Sequence, residues 1–129
     1  MARTVINTKC APTAVGSYNQ GIASKGFIFT AGQIPLNPET NELIDGDIDM
    51  QIDQIFHNLD QVCKAGNSAL INAVKLTVFL TDLSLAPHVN KSIDHWFDSK
   101  SFPARSMVQV SKLPLNSKIE IECIAVQDE

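Results

Sequence analysis

Arg105 lies in a segment whose residues alternate between two characters, as in a β-strand. From position 104 to 110 one side carries Ser106, Val108 and Val110, and the opposite side carries Arg105, Met107 and Gln109. A guanidinium keeps its charge at every physiological pH and is rarely buried without an acidic partner. We therefore expect an anionic group to meet Arg105.

Two candidate acidic partners lie on the last predicted strand, which covers residues 118–126. One face of this strand is apolar, and the other carries Lys118, Glu120 and Glu122. If both strands bury their apolar faces against one core, Arg105 must share the opposite sheet face with Glu120 and Glu122, because side chains alternate with a period of two. A structural ion pair on a solvated surface would explain this pattern. Most strand charges are only solvated, so this is the commoner explanation, and a charge pair that handles an anionic ligand is the alternative.

Tyr18 and Gly32 are the candidates outside these two strands. Tyr18 is the only tyrosine and lies in a turn-rich segment after Pro12 and Gly16. A loop tyrosine commonly packs with its hydroxyl in water, although loops also carry functional residues. Gly32 follows a strand, where glycine marks a tight turn or a place where a ligand approaches the backbone.

Hydrophobic periodicity predicts the elements that position these residues. Strands are predicted at 3–8, 21–24, 27–31 and 74–80, with Val74, Leu76, Val78 and Leu80 on one side of the last of these. Apolar residues at three- and four-residue steps predict a helix over 47–65, with Asp47 or Asp49 as its cap and Gly66 at its end. A second helix is predicted over 84–99, with Pro87 in its first turn. Asn90 lies near its middle, where asparagine normally faces water.

The predicted order β-β-β-α-β-α-β-β indicates an α+β fold of two layers. One mixed sheet would have two helices on its apolar face. The other face would carry Lys75, Thr77, Phe79, Arg105, Met107, Gln109, Glu120 and Glu122. A face of such mixed polarity suits packing between subunits, with polar clefts between them.

Length and charge narrow the function classes. With 129 residues, the chain is predicted to form one domain over 1–129. The net charge is -4 and no run of lysine or arginine occurs, which argues against nucleic acid and anionic membranes as partners. The N-terminus has no apolar leader and no apolar run reaches membrane-spanning length, so we expect a cytoplasmic protein.

No metal site is expected from the cysteines and histidines. Cys10, Cys63 and Cys123 are widely spaced without a CxxC pattern, and Cys63 and Cys123 fall at predicted core positions. His88 and His95 lack the close pairing with carboxylates that zinc sites use.

Several short motifs occur in an order that resembles the Rid family, also called the YjgF family. They are Tyr18, the AGQIP segment at 31–35, Val89-Asn90, the FPARS segment at 102–106, Leu113-Pro114 and the IEIECIA segment at 119–125. The resemblance implies a chorismate-mutase-like fold that assembles as a homotrimer with a cleft at each subunit interface. The best-understood members of this family are 2-iminobutanoate/2-iminopropanoate deaminases, which hydrolyse reactive imines and enamines released by pyridoxal-phosphate enzymes.

The same resemblance implies a role for each candidate residue. Arg105 would hold the carboxylate of a small 2-imino acid, and Glu120 would take the proton of the attacking water. Tyr18 and Asn90 would shape the cleft or position that water. Backbone groups of Gly32 and Met107 would fix the substrate carboxylate or the developing oxygen. No metal or organic cofactor is implied, because an imine is already electrophilic.

Two positions depart from the family pattern. Many members carry serine where this chain has Ala31, and cysteine where it has Met107. A backbone contact at either position survives the change, whereas a hydroxyl contact does not.

Two alternatives to catalysis stay open. The chain could be a regulatory module that captures 2-keto acids or other metabolites through Arg105 without turnover. It could also act on RNA and inhibit translation, which the acidic composition disfavours.

Overall fold

The computed structural model describes residues 2–129, which form six strands and two α-helices in the predicted order. The elements are β1 (Thr4–Ile6), β2 (Gly21–Ser24), β3 (Phe27–Thr30), α1 (Ile48–Ala65), β4 (Ala73–Leu80), α2 (Ala86–Trp96), β5 (Ala104–Gln109) and β6 (Ile119–Val126). The sheet order is β1-β2-β3-β6-β4-β5, antiparallel except for the parallel pair β4–β5. The predicted α+β fold with one mixed sheet is confirmed.

Helix α1 begins and ends where its cap residues predict, whereas α2 covers Ala86–Trp96 in place of the predicted 84–99. Asp47 caps α1 by accepting a hydrogen bond from the N–H of Met50, and the N–H of Gly66 donates to the carbonyl of Cys63 at its end. Pro87 occupies the first turn of α2, where its missing N–H costs nothing. Because both helices are amphipathic, each turns its apolar stripe toward the sheet.

The core lies between this helix layer and one face of the sheet. Phe56 and Leu59 of α1 pack in it with Ile28, Leu76 and Ile121 of the central strands, and all five side chains are fully buried. Cys63 and Cys123 meet there with their Sγ atoms 3.9 Å apart as free thiols, which confirms the predicted core positions.

The prediction that Val74 faces the core is wrong. A β-bulge between Ala73 and Lys75 places one extra residue in β4 relative to β6, so the alternation shifts at that point. Ala73 is buried in place of Val74, which is 43% exposed. Leu76, Val78 and Leu80 face the core as predicted.

The predicted faces of β5 are also wrong. In the parallel pairing with β4, Arg105 lies opposite Leu76 and Met107 lies opposite Val78, so both occupy the helix-covered face. Ser106 lies on the other face, where the Nζ atom of Lys75 donates to its Oγ atom at 2.8 Å. Arg105, Met107 and Gln109 therefore do not share a face with Glu120 and Glu122.

The position of β5 explains the error. It is an edge strand, bound to β4 on one side only, and none of its residues is fully buried. Val108 is exposed on the uncovered face, whereas the longer side chain of Met107 packs against the core. On such a strand, apolar character does not mark the core side, because neither face is sealed from water.

The uncovered face of the sheet, here called the open face, carries Glu120 and Glu122 as predicted. Phe79 pairs with Glu120 across β4 and β6, and Thr77 pairs with Glu122. The face also exposes apolar side chains, namely Val5, Phe27, Phe29, Val108 and Val126. Within residues 2–129, neither helix has the length and apolar character needed to cross a membrane.

Candidate active site

Arg105 lies in a cavity between β5 and α2. Its Nη1 atom donates a hydrogen bond to Oδ1 of Asn90, which α2 presents toward the strand. The cavity has a volume of about 430 Å³ and is called the arginine cavity below. It is lined by Leu76, Asn90, Ile93, Asp94, Phe102, Pro103 and Arg105.

Arg105 forms no ion pair within residues 2–129, although Asp94 lines the same cavity. Among residues 2–129 no carboxylate oxygen lies within 4.0 Å of its guanidinium, and the three ion pairs found there involve other residues. Asn90 supplies a neutral oxygen that orients the guanidinium and leaves its charge in place. The structural ion pair considered from the sequence is therefore absent within this part of the chain.

Glu120 lies in a second cavity, of about 320 Å³, called the glutamate cavity below. Three loops build it: the segment before β2, the turn after β3, and the turn before β6. Its lining residues are Pro12, Thr13, Val15, Tyr18, Gly32, Gln33, Ile34, Leu36, Asn41, Pro114, Leu115 and Glu120. Tyr18 and Gly32, two of the sequence candidates, therefore lie beside Glu120.

Gly32 and the Glu120 carboxyl group are in close contact. A Cβ atom on Gly32 would lie 2.7 Å from Cδ of Glu120, so any other residue type here requires the Glu120 carboxyl group to shift. The sequence suggested that a group approaches the backbone closely at Gly32. That group is a carboxyl group of the protein and not a ligand. Burial, and secondarily the charge of Glu122, raise the pKa of Glu120 above its ordinary value.

Gln20, which sequence reading missed, shapes the loop that carries Tyr18. Its side chain is only 2% exposed and donates to the carbonyl oxygens of Thr8, Ala11 and Pro12. Its Oε1 atom accepts from the N–H of Thr8 at 2.7 Å. The sequence feature that could have identified Gln20 is its position directly before β2. A polar side chain that is buried there must form hydrogen bonds, here with backbone N–H and carbonyl groups.

The six candidates thus divide between two places. Tyr18, Gly32 and Glu120 line the glutamate cavity, whereas Asn90 and Arg105 line the arginine cavity. Met107 is half-buried two residues beyond Arg105 on the same face of β5. Because Arg105 and Glu120 lie on opposite faces of the sheet, one chain does not bring them together.

Metal-binding geometry is not found within residues 2–129, where no three His, Cys, Asp or Glu side chains converge. His88 does have a carboxylate partner, contrary to the expectation from the sequence. Its Nδ1 atom lies 2.9 Å from Oδ1 of Asp49, whose other oxygen meets Lys91 at 3.3 Å. This cluster joins α1 to α2 on the outer surface of the helix layer.

Similar sequences cover almost the whole chain. A family profile described as Endoribonuclease L-PSP matches residues 8–127. A RutC family protein of Synechocystis sp. is 42% identical over 127 residues, covering 98% of each chain. The human 2-iminobutanoate/2-iminopropanoate deaminase is 37% identical over 127 residues, covering 98% of this chain and 92% of the human protein.

Solved structures are similar to the chain over the same length. The YjgF gene product of E. coli superposes with a TM-score of 0.88 at 39% identity, covering 97% of this chain and 99% of that one. E. coli TdcF with bound serine also gives a TM-score of 0.88, at 35% identity and the same coverage. The chain is a member of the Rid family, also known as the YjgF or RutC family.

Proposed function

We propose that this protein hydrolyses 2-imino acids such as 2-iminobutanoate and 2-iminopropanoate to 2-keto acids and ammonia. The observation that carries the proposal is Arg105, a cation that Asn90 orients and that forms no ion pair within 4.0 Å among residues 2–129. A guanidinium in this state can hold a substrate carboxylate through two parallel charge-assisted hydrogen bonds. Each such bond is worth roughly 1.5–3 kcal/mol, enough to orient a very small acid.

Glu120 is the proposed base. The ionised carboxylate takes a proton from water while the water oxygen bonds to C2 of the imine and the C=N electron pair moves to nitrogen. Protonated Glu120 returns its proton to the nitrogen, which gives the carbinolamine. Glu120 then takes the hydroxyl proton and passes it to the amino nitrogen, so that the C=O bond forms as the C–N bond breaks and ammonia leaves. A raised pKa makes Glu120 a stronger base than an exposed glutamate, which suits both the removal and the return of a proton.

The remaining candidates would position the reactants. The hydroxyl of Tyr18 is a donor at the edge of the glutamate cavity and accepts only a long, 3.4 Å hydrogen bond from the N–H of Val15. Backbone groups of Gly32 and Met107 are proposed to fix the substrate carboxylate or the developing oxygen. At Met107 this is feasible because an edge strand directs half of its backbone groups away from the sheet.

A second copy of the chain would complete the site. Arg105 and Glu120 lie on opposite faces of one sheet, so a substrate that meets both requires the arginine cavity of one copy to face the glutamate cavity of another. The exposed phenylalanines and valines of the open face offer apolar area for such packing. We propose the closed arrangement with three identical interfaces, a homotrimer with one cleft at each.

The test is imine hydrolysis with the purified protein. Threonine dehydratase and threonine generate the four-carbon imine, and semicarbazide reports the imine that survives. Added protein should lower the semicarbazone signal, and Glu120→Gln should abolish the effect while 2-oxobutanoate still binds. If neither protein differs from buffer, the proposed activity is wrong.

Metabolite binding without turnover is the second candidate, favoured by the serine bound to E. coli TdcF. The same chemistry of Arg105 would serve it, because capture of a carboxylate needs no base. Calorimetry with 2-oxobutanoate decides between the two: binding by a protein without hydrolytic effect would support the second candidate.

A further inference from the structure

Leu115 has a backbone conformation that is unfavourable for leucine. Its φ angle is 55° and its ψ angle 26°, and the next residue, Asn116, also has a positive φ of 56°. For a residue with a branched side chain, the left-handed region costs roughly 1–2 kcal/mol. Hydrogen bonds from the N–H of Asn116 to Leu113 and from the N–H of Ser117 to Pro114, both 3.1 Å, hold the turn in place.

Packing within the chain does not explain this conformation. The side chain of Leu115 is 63% exposed and gains little from burial. Only Val15, at 77%, is more exposed among the large apolar side chains of residues 2–129. Both residues line the glutamate cavity, on loops that are far apart in the sequence.

The cavity is therefore lined by both polar and apolar groups. Glu120 and the Gly32 backbone, which are in contact, supply polar groups, while Val15, Leu115 and Pro114 supply apolar surface. Its volume of about 320 Å³ falls within the range of roughly 300–1,000 Å³ typical of sites that take drug-sized ligands. That is more space than an acid of three or four carbons fills.

We infer that Leu115 is a specificity-determining residue, which contacts the side chain of the substrate and favours 2-imino acids with larger apolar side chains. This inference rests on the proposed function, since it assumes that the substrate head group meets Glu120. The left-handed turn then serves to direct an apolar side chain over the cavity mouth, where it shields the substrate from water. One methylene of apolar contact changes kcat/KM by about 10-fold or more in hydrophobic pockets.

The experiment compares two imines generated in situ by an L-amino-acid oxidase, one from leucine and one from alanine. The measured quantity is the ratio of kcat/KM for the leucine-derived imine to that for the alanine-derived imine. Leu115→Ser should lower this ratio about 10-fold, and Leu115→Met should keep it within about twofold. Leu83→Ser is the matched control, because Leu83 is exposed but lines neither cavity, and it should leave the ratio as in the parent.

Each other outcome has one meaning. An unchanged ratio in Leu115→Ser, with both imines still hydrolysed, overturns the inference and leaves the proposed function intact. An unchanged ratio with a lower oligomer mass in sedimentation equilibrium also overturns it, and assigns Leu115 to contact between copies. If the parent protein hydrolyses neither imine, the proposed function itself has failed.

Discussion

The two cavities differ in how the protein holds its charged group. The guanidinium of Arg105 has one neutral partner in a wide cavity on the helix-covered face, at the sheet edge. The carboxyl group of Glu120 lies on the opposite face, where a Cβ atom on Gly32 would displace it and partial burial raises its pKa. In the proposed function, the guanidinium binds the substrate carboxylate and the carboxyl group of Glu120 exchanges a proton.

Neither cavity can carry out the proposed reaction alone. An arginine without a base only binds acids, and a base without the arginine has no means of orienting so small a substrate. If both groups act on one substrate, their separation on two faces of one sheet makes activity depend on assembly. The protein would therefore gain its catalytic site only when copies associate.

The largest effect is expected from Arg105→Lys. Lysine keeps the charge but loses the planar pair of donors, so the substrate carboxylate is held at one point and C2 is misplaced. We expect kcat/KM for 2-iminobutanoate to fall on the order of 10³-fold, with the oligomer mass unchanged. Arg3→Lys, an exposed arginine that lines neither cavity, is the matched control. Full activity in Arg105→Lys would refute the bidentate contact.

A smaller loss is expected from Gly32→Ala, which disturbs the other cavity. The new methyl group would lie 2.7 Å from Cδ of Glu120, so the carboxyl group must move. A displacement of about 1 Å can cost roughly 100-fold in rate, and we expect kcat to fall by about that amount. A double-mutant cycle tests the cause: Gly32→Ala should add little to the defect of Glu120→Gln. Additive losses would mean that Gly32 acts through another contact.

The smallest effect is expected from Glu122→Gln, as a shift in the pH dependence of kcat/KM. Glu120 must be ionised to act as the base, so kcat/KM should rise with pH through its pKa, which lies above the ordinary glutamate value. Glu122→Gln removes a like charge and should lower that pKa, moving the acidic limb of the pH profile to lower pH. Burial is the larger cause and remains, so the shift should be partial. If the acidic limb moves to higher pH in Glu122→Gln, Glu120 is not the base whose ionisation sets that limb.

Sequence patterns predicted the elements well because each element carries its own local signals. The apolar stripe and Asp47 cap define α1, and alternation around Ile119–Ala125 defines the core side of β6. The family motifs then supplied the candidate residues, and five of the six line one of two cavities.

Spatial relations between elements were harder to predict. Arg105 was placed on the wrong face because an edge strand has no sealed side, so apolar residues do not mark the core. The bulge that turned Val74 outward depends on pairing with β6, which local sequence does not encode. The contact between Gly32 and Glu120 joins residues distant in the chain, and so does the contact between Asn90 and Arg105.

A complementation measurement tests most directly whether two copies build each cleft. Arg105→Lys and Glu120→Gln chains, each inactive alone, are co-expressed with different tags, and oligomers that carry both tags are purified. If each cleft takes Arg105 from one copy and Glu120 from its neighbour, every mixed trimer has one intact cleft of three, so about a third of the parent activity should return. Mixed trimers as inactive as either variant alone would contradict the shared cleft.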